Sequence, residues 1–251
     1  MNLTPTKLRK LINYLVVSLI FVEVAIAVIY LAYIFTTGQS PMIVNMDGAR
    51  NIPSWFQALQ IFSIGAIALG LGINRQQDFP YPSRKFSFFL TGLLCYAGLD
   101  EIFKLHLGFR NLLPIVGTQY WIAIYASLIC LLPVLFYLDF KAFWQSYRRE
   151  TLIAVTGLII FAVGGFGAEL FKTYLLQPLL ANSSLFQSHH FLSLLVEKFR
   201  VAVEEFGELL GQTLVLYAAL LFIAQRLEDK QNNPPNITTF EQSRQNTAGK
   251  I

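Results

Sequence analysis

The sequence predicts an all-α, polytopic membrane protein: a bundle of about six transmembrane helices with both termini in the cytoplasm. Three observations predict it. First, the 251-residue chain is 55% hydrophobic and only 14% charged, whereas soluble domains carry about 25% charged residues. Second, the apolar residues fall into blocks of roughly 20, the length of helix that crosses about 30 Å of hydrocarbon. Third, the basic residues collect in alternate loops between these blocks.

Each apolar block is taken as one span, and the six predicted spans cover residues 11–35, 55–73, 86–107, 113–138, 152–176 and 199–224. The first follows Lys7, Arg9 and Lys10, as a signal peptide would. Its apolar run is too long for a signal peptide and no small-x-small cleavage site follows, so it is predicted to be retained. Residues 1–226 thus form one transmembrane domain. The polar, Asn/Gln-rich segment 227–251 is predicted to be a disordered cytoplasmic tail.

The distribution of lysine and arginine predicts the orientation. Four segments hold 3, 3, 3 and 4 of these residues: the N-terminus, loops 74–85 and 139–150, and the segment from Arg226. The other three loops hold only Arg50 and Arg110. The first four segments thus hold 13 lysine and arginine residues and the other three loops hold 2, which satisfies the positive-inside rule. Both termini are therefore expected in the cytoplasm of a cell-membrane protein. The net charge of +4 follows from this topology, and the expected partner is the lipid bilayer, not nucleic acid.

Charged side chains of three spans are predicted to meet in the outer half of the bundle. The third and fifth spans run outward and carry charges near their ends, whereas the sixth runs inward and carries them near its start. The predicted ion- or substrate-binding residues are Asp100, Glu101, Lys104, Glu169, Lys172, Glu204, Glu205 and Glu208. Glu23, about midway along the first span, is the exception.

The cost of burying charge explains this placement. One charged residue at the centre of a membrane helix costs about 2.5–3.5 kcal/mol, whereas a leucine-like residue returns only about 0.3–0.6 kcal/mol. The sixth span therefore cannot be centred on Glu204, Glu205 and Glu208. These glutamates share a polar arc of about 100° on the helix, and Gly207 and Gly211 at its edge allow close helix approach. An alternative stays open, in which the acids form a solvated, amphipathic start to this helix.

The three histidines, His106, His189 and His190, also lie on the outer side, and together they are candidate ligands for one divalent metal ion. The Glu-x-x-His motif of di-metal bundles is absent, because Lys104 follows Glu101 at that spacing. Cys95 and Cys130 lack the C-x-x-C spacing of metal or redox sites. A metal site is thus one interpretation and the sequence does not require it.

Two short stretches resemble paired motifs of uncharacterised multi-pass bacterial membrane proteins. They are "GLDEIFKLH" at 98–106 and "VEEFGELLG" at 203–211. The matching residues are Asp100, Glu101, His106, Glu204, Glu205, Glu208 and Gly211. A second acid often follows the histidine in that pattern, and here Leu107 takes its place. The resemblance implies a membrane protein and no particular activity.

Three functional hypotheses remain. The first is a cation- or proton-coupled transporter of a small solute, because the outer cluster holds more acids than bases. The second is a metal-dependent, hydrolase-like membrane enzyme with the histidines as ligands. The third is a structural or assembly subunit whose charges hold helices together. The sequence favours the first, although it shows none of the internal repeats found in many transporters.

Overall fold

The computed structural model describes residues 4–40, 42–74, 81–105, 120–182 and 190–232, and within these ranges the chain is helical, with no β-strand. The helices, in chain order, are α1 (Pro5–Thr37), α2 (Ile52–Ile73), α3 (Arg84–Phe103), α4 (Tyr120–Leu135), α5 (Tyr137–Ser146), α6 (Arg148–Asn182) and α7 (His190–Asn232). Helices α1, α2, α3, α6 and α7 are each long and apolar enough to cross a membrane, and the bent pair α4–α5 makes a sixth if counted as one span. The predicted all-α fold with about six candidate spans is confirmed at this level.

Local sequence signals set several helix ends. Asn51 and Ser54 form a capping box before α2, in which each side chain accepts the other residue's backbone N–H at 3.0 Å. Ser83 caps α3 by accepting the N–H of Phe86 at 3.2 Å. Helix α1 ends on Gly38, whose φ of 68° is the left-handed conformation that glycine adopts without a steric penalty.

The fourth predicted span, 113–138, is not one straight helix as far as it is described. Helix α4 ends at Leu135, and α5 leaves it at an angle of 75°. Pro133 lies in the last turn of α4, where its ring removes one backbone donor and crowds the preceding turn. Phe136 then leaves helical geometry (φ −116°, ψ 39°). The apolar run therefore predicted a span but missed the bend near its C-terminal end.

Helices α6 and α7 are longer than the spans predicted within them. Helix α6 extends beyond 152–176 in both directions and contains two π-helical turns, Val163–Gly167 and Lys172–Leu176. Helix α7 extends beyond 199–224 and continues to Asn232. The predicted tail from residue 227 therefore begins inside α7, because its first residues continue the helix. The remainder of that tail, 233–251, lies outside the described residues.

Helix α7 packs against α1, α2 and α6 and forms the centre of the bundle. Two apolar clusters join it to α1. Towards the C-terminal end of α1, the buried residues are Ile26, Tyr30, Ile34, Met46, Val201, Ala202 and Leu209. Near the other end, Ile12 packs against Leu221 and Ala224. Because Ile12 contacts the end of α7 and Tyr30 contacts its first half, the two helices run antiparallel.

Glycines bring α6 and α7 into backbone contact. A Cβ atom built on Gly211 would lie 2.7 Å from the carbonyl oxygen of Gly157, and the converse distance is also 2.7 Å. One built on Gly164 would lie 3.1 Å from Gly207. Both distances are shorter than ordinary van der Waals contact, so only glycine fits without a shift. The close approach predicted for Gly207 and Gly211 is confirmed.

Polar and aromatic contacts join the helices at the end of the bundle where α1 begins. Arg9 at the start of α1 forms a 3.1 Å ion pair with Glu228 near the end of α7. The Ser83 hydroxyl donates to Asp139 of α5 at 2.8 Å. The rings of Tyr147 and Phe222 meet edge to face, 4.6 Å apart. These contacts place the starts of α1, α3 and α6 together with the end of α7.

Candidate functional site

Charged residues from α3, α6 and α7 gather at the opposite end of the bundle. At the end of α3, the Lys104 ammonium pairs with Glu101 at 2.8 Å, and both side chains are at least four-fifths buried. Lys104 adopts the left-handed conformation that ends the helix (φ 48°), which is uncommon for a residue with a side chain. In α6, Lys172 pairs with Glu169 at 3.4 Å. Both pairs join residues three positions apart in sequence.

Arg200 organises the first half of α7. Its guanidinium donates two hydrogen bonds to Glu197, at 3.1 and 2.9 Å, and a third to Glu204. The residue is only 8% exposed. Two carboxylates on one buried guanidinium satisfy most of its donors, so burying this charge is tolerated.

Glu205 and Glu208 of α7 lie near the pair at the end of α3. Both interact electrostatically with Lys104 and Glu101. Glu205 also accepts a 3.1 Å hydrogen bond from the Gln57 amide of α2. Among the described residues, no lysine or arginine forms a direct ion pair with either glutamate.

Helix α6 supports the same region from the other side. The Glu208 carboxylate lies directly against the backbone of Gly165, so a Cβ atom at that position would require the carboxylate to move. Glu204 interacts electrostatically with Glu169 and Lys172. We refer to this set, named after the predicted orientation, as the outer acidic cluster: Glu101, Lys104, Glu169, Lys172, Arg200, Glu204, Glu205 and Glu208. It brings together seven of the eight predicted binding residues and adds Arg200, which the sequence analysis had not included among them.

Asp100, the eighth predicted residue, contacts a different helix. It is 8% exposed and accepts a 2.9 Å hydrogen bond from the Tyr125 hydroxyl of α4. Tyr125 in turn lies 3.4 Å from the Tyr96 hydroxyl. Adjacent residues of a helix point about 100° apart, which explains why Asp100 and Glu101 face different neighbours. The contacts of Asp100 shown here therefore join α3 to α4.

The predicted metal ligands are not placed by the structure. His106 and His189 lie outside the described residues, and His190 begins α7 without a described side chain. In the part of the chain that is described, no group of three histidine, cysteine, aspartate or glutamate residues is arranged to hold a metal ion. The divalent metal site thus stays a prediction.

The sequence analysis missed a set of neutral polar residues beneath the outer acidic cluster. Gln57 and Gln60 of α2 and Thr213 of α7 are all at most 2% exposed. Gln60 and Thr213 both hydrogen-bond to Glu23 of α1. A signal was available in the sequence, because two glutamines three residues apart lie on one face of an otherwise apolar helix.

Comparison with known proteins identifies a family and no activity. A family model described as a domain of unknown function (DUF8692) matches residues 14–224, which contain nearly all of the helices described above. The chain belongs to the DUF8692 family. No curated protein and no solved structure matches it. The outer acidic cluster lies entirely inside the DUF8692 domain, so its function has to be argued from its chemistry.

Proposed function

We propose that this DUF8692 protein is a multi-pass protein of the cell membrane that couples the movement of a cation or proton to that of a small solute. The outer acidic cluster is the proposed ion site. Both termini are proposed to be cytoplasmic, which places the cluster in the outer half of the membrane. The positive-inside distribution of lysine and arginine supports this orientation.

One observation carries the proposal: the cluster holds two glutamates that no lysine or arginine of the described residues pairs directly. Its five carboxylates face three basic groups, and each base is already engaged. Lys104 pairs with Glu101, Lys172 with Glu169, and Arg200 with Glu197 and Glu204. Glu205 and Glu208 are left to share the attraction of Lys104 at longer range. A bound cation or proton would supply the missing positive charge.

The exposure of the cluster supports exchange with the aqueous phase. Glu204, Glu205 and Glu208 are half-buried, so they are neither sealed in the interior nor fully solvated. An ion can therefore reach them from the outer end while the surrounding helices limit hydration. A purely solvated helix start would leave these side chains exposed.

Helix α6 offers a place for the conformational step that coupling needs. Its two π-helical turns, Val163–Gly167 and Lys172–Leu176, lie on either side of Glu169. π-Helical turns are rare and are found frequently at functional sites. The first turn also contacts Glu208 through Gly165. A change in the charge of that glutamate would therefore alter its packing against α6.

Flux in proteoliposomes tests the proposal. The purified protein is reconstituted with a trapped pH- or Na⁺-sensitive dye, and a panel of amino acids, sugars and organic cations is added outside. The expected result is a solute-dependent change in internal H⁺ or Na⁺ that Glu205→Gln and Glu208→Gln abolish. Glu228→Gln is the matched control, because it makes the same chemical change on α7 at the far end of the bundle. A lack of ion and solute flux, with both cluster variants less stable than the parent, would instead favour a structural role.

A further inference from the structure

A buried carboxylate lies in the middle of the bundle, separate from the outer acidic cluster. Glu23 of α1 is 0% exposed. Its Oε1 atom accepts a 2.9 Å hydrogen bond from the Gln60 amide of α2 and another from the Thr213 hydroxyl of α7. Gln60 also donates to the Thr213 oxygen at 2.9 Å. Three helices thus contribute one polar side chain each to the same point.

This point is far from both ends of the helices. At 1.5 Å per residue, Glu23 lies about 21 Å from the outer end of α1, and Thr213 lies about 12 Å below Glu205 along α7. No lysine or arginine of the described residues forms an ion pair with Glu23. Helix α2 carries no titratable side chain at all. Towards the outer end, the first titratable groups along the helices are Tyr30, about 11 Å from Glu23 on α1, and Glu208, about 8 Å from Thr213 on α7.

Several buried oxygens around this point lack a hydrogen-bond donor. They include Glu23 Oε2, Gln60 Oε1 and, one turn nearer the outer end, Gln57 Oε1. Gln212, beside Thr213, is 6% exposed, and neither its oxygen nor its nitrogen has a partner. Buried polar atoms are almost always paired, and leaving one unpaired destabilises the folded protein. Glu23 Oε2 and Gln60 Oε1 are thus buried acceptors without a donor, a need that a bound cation would satisfy.

We infer that Glu23, Gln60 and Thr213 form a binding site for one alkali cation between α1, α2 and α7. The single carboxylate balances a single positive charge. The remaining ligands are neutral oxygens, the ligand type that hard cations prefer. The amide of Gln60 presents its oxygen to the ion by rotating about its terminal bond, which exchanges the positions of Oε1 and Nε2. Divalent ions generally require more carboxylates than this site provides.

The site goes beyond the proposed function, because it does not use the outer acidic cluster. The two are connected by α2, since Gln57 contacts Glu205 and Gln60, one turn below, contacts Glu23. An ion released from the outer acidic cluster would therefore meet amide oxygens on its way to the middle of the bundle. Ion binding at the site formed by Glu23, Gln60 and Thr213 can be measured without a solute and without a flux assay.

The test is the thermal stability of the purified full-length protein in detergent. NaCl, KCl or LiCl replaces N-methylglucamine chloride at constant ionic strength and constant pH. At least one of the three ions is expected to raise the Tm of the parent with a saturating concentration dependence. Glu23→Gln should abolish this rise. Thr213→Val, which keeps the side-chain volume, should move the midpoint concentration upward by about tenfold or more.

Two further variants locate the ion. Glu150→Gln replaces a buried glutamate at the start of α6 and should leave the rise unchanged. Glu205→Gln changes the outer acidic cluster, and the rise should persist in it. If Glu205→Gln abolishes the rise and Glu23→Gln keeps it, the ion binds in the outer acidic cluster and the inference is wrong. It is also wrong if no alkali ion shifts the Tm of the parent, or if only pH does. Should Glu23→Gln fail to fold, an unchanged midpoint in Thr213→Val would overturn the inference.

Discussion

Gln57 of α2 and Glu205 of α7 are joined by a 3.1 Å hydrogen bond, in which the amide Nε2 donates to the carboxylate Oε2. Gln57 is 0% exposed, and its own Oε1 has no donor. A neutral amide therefore holds a glutamate that no described basic residue pairs directly. This contact is also where the outer acidic cluster meets the polar residues of the bundle interior.

Replacing Gln57 by leucine should destabilise the protein, because Glu205 would lose its one hydrogen-bond donor in the described structure. Leaving such an acceptor unsatisfied costs about 1–3 kcal/mol. Leucine has nearly the volume of glutamine, so packing changes little. The measurement is the Tm of the variant in detergent. Gln145→Leu, at an exposed position of α5, is the matched control and should shift the Tm much less. Equal effects of the two substitutions would mean that the Gln57–Glu205 hydrogen bond contributes nothing.

The backbone contact between α6 and α7 predicts an unusual sensitivity to alanine. Gly211→Ala would put a Cβ atom 2.7 Å from the Gly157 carbonyl oxygen and from Phe161, so the helices must separate. Overpacking of this kind costs about 1–3 kcal/mol. Gly70→Ala is the control, since a Cβ there meets nothing within 4 Å. It should be neutral or stabilising, because alanine favours a helix over glycine by about 1 kcal/mol. Similar Tm values for the two variants would contradict the observed packing.

The proposed orientation predicts the fate of a reporter protein fused after Ile251. With both termini in the cytoplasm, a fluorescent protein that folds only there should be bright, and an alkaline phosphatase that requires export should be inactive. The paired fusion after residue 45, between α1 and α2, should show the opposite behaviour. A translocated C-terminus would refute the orientation and would move the outer acidic cluster to the cytoplasmic side.

The apolar blocks predicted the helices well because about 20 residues of hydrocarbon-compatible sequence constrain the structure strongly. The shared location of Glu101, Glu169 and Glu204 also followed from depth, since charges avoid the membrane centre. Depth does not specify direction around a helix, however. Asp100 and Glu101 have the same depth but contact different helices, and only the packing of α3 against its neighbours separates them.

The polar interior of the bundle was harder to predict for a related reason. A glutamine in an apolar span costs less than a charge, so Gln57 and Gln60 did not stand out in the sequence as part of a site. Glu23 stood alone in its own span, with no sequence neighbour to suggest a site. Its partners, Gln60 and Thr213, are 37 and 190 residues away, and such pairs become visible only when the helices are packed. The bend after Leu135 was missed because an apolar run continues through it.

The ion pairs of α7 allow a sharper test of burial. Arg200→Gln should destabilise the protein strongly, because it leaves Glu197 and Glu204 without their shared partner in a poorly hydrated site. Breaking a buried pair by removing one member costs about 3–5 kcal/mol. Arg9→Gln removes the same group from the pair with Glu228, whose side chains are 27% and 40% exposed. Exposed pairs contribute only about 0–1 kcal/mol, so this control should be close to the parent.

The double variant Arg200→Gln/Glu204→Gln shows whether the loss of stability in Arg200→Gln comes from the missing ion pair itself or from the buried carboxylate left unpaired. If the cost of Arg200→Gln arises mainly from an unpaired buried carboxylate, neutralising Glu204 as well should restore part of the lost stability, and the two effects will not add. Additive losses would mean that each side chain acts through packing alone. If Arg200→Gln is as mild as Arg9→Gln, the first half of α7 is solvated, and the outer acidic cluster is a charged surface with no enclosed site.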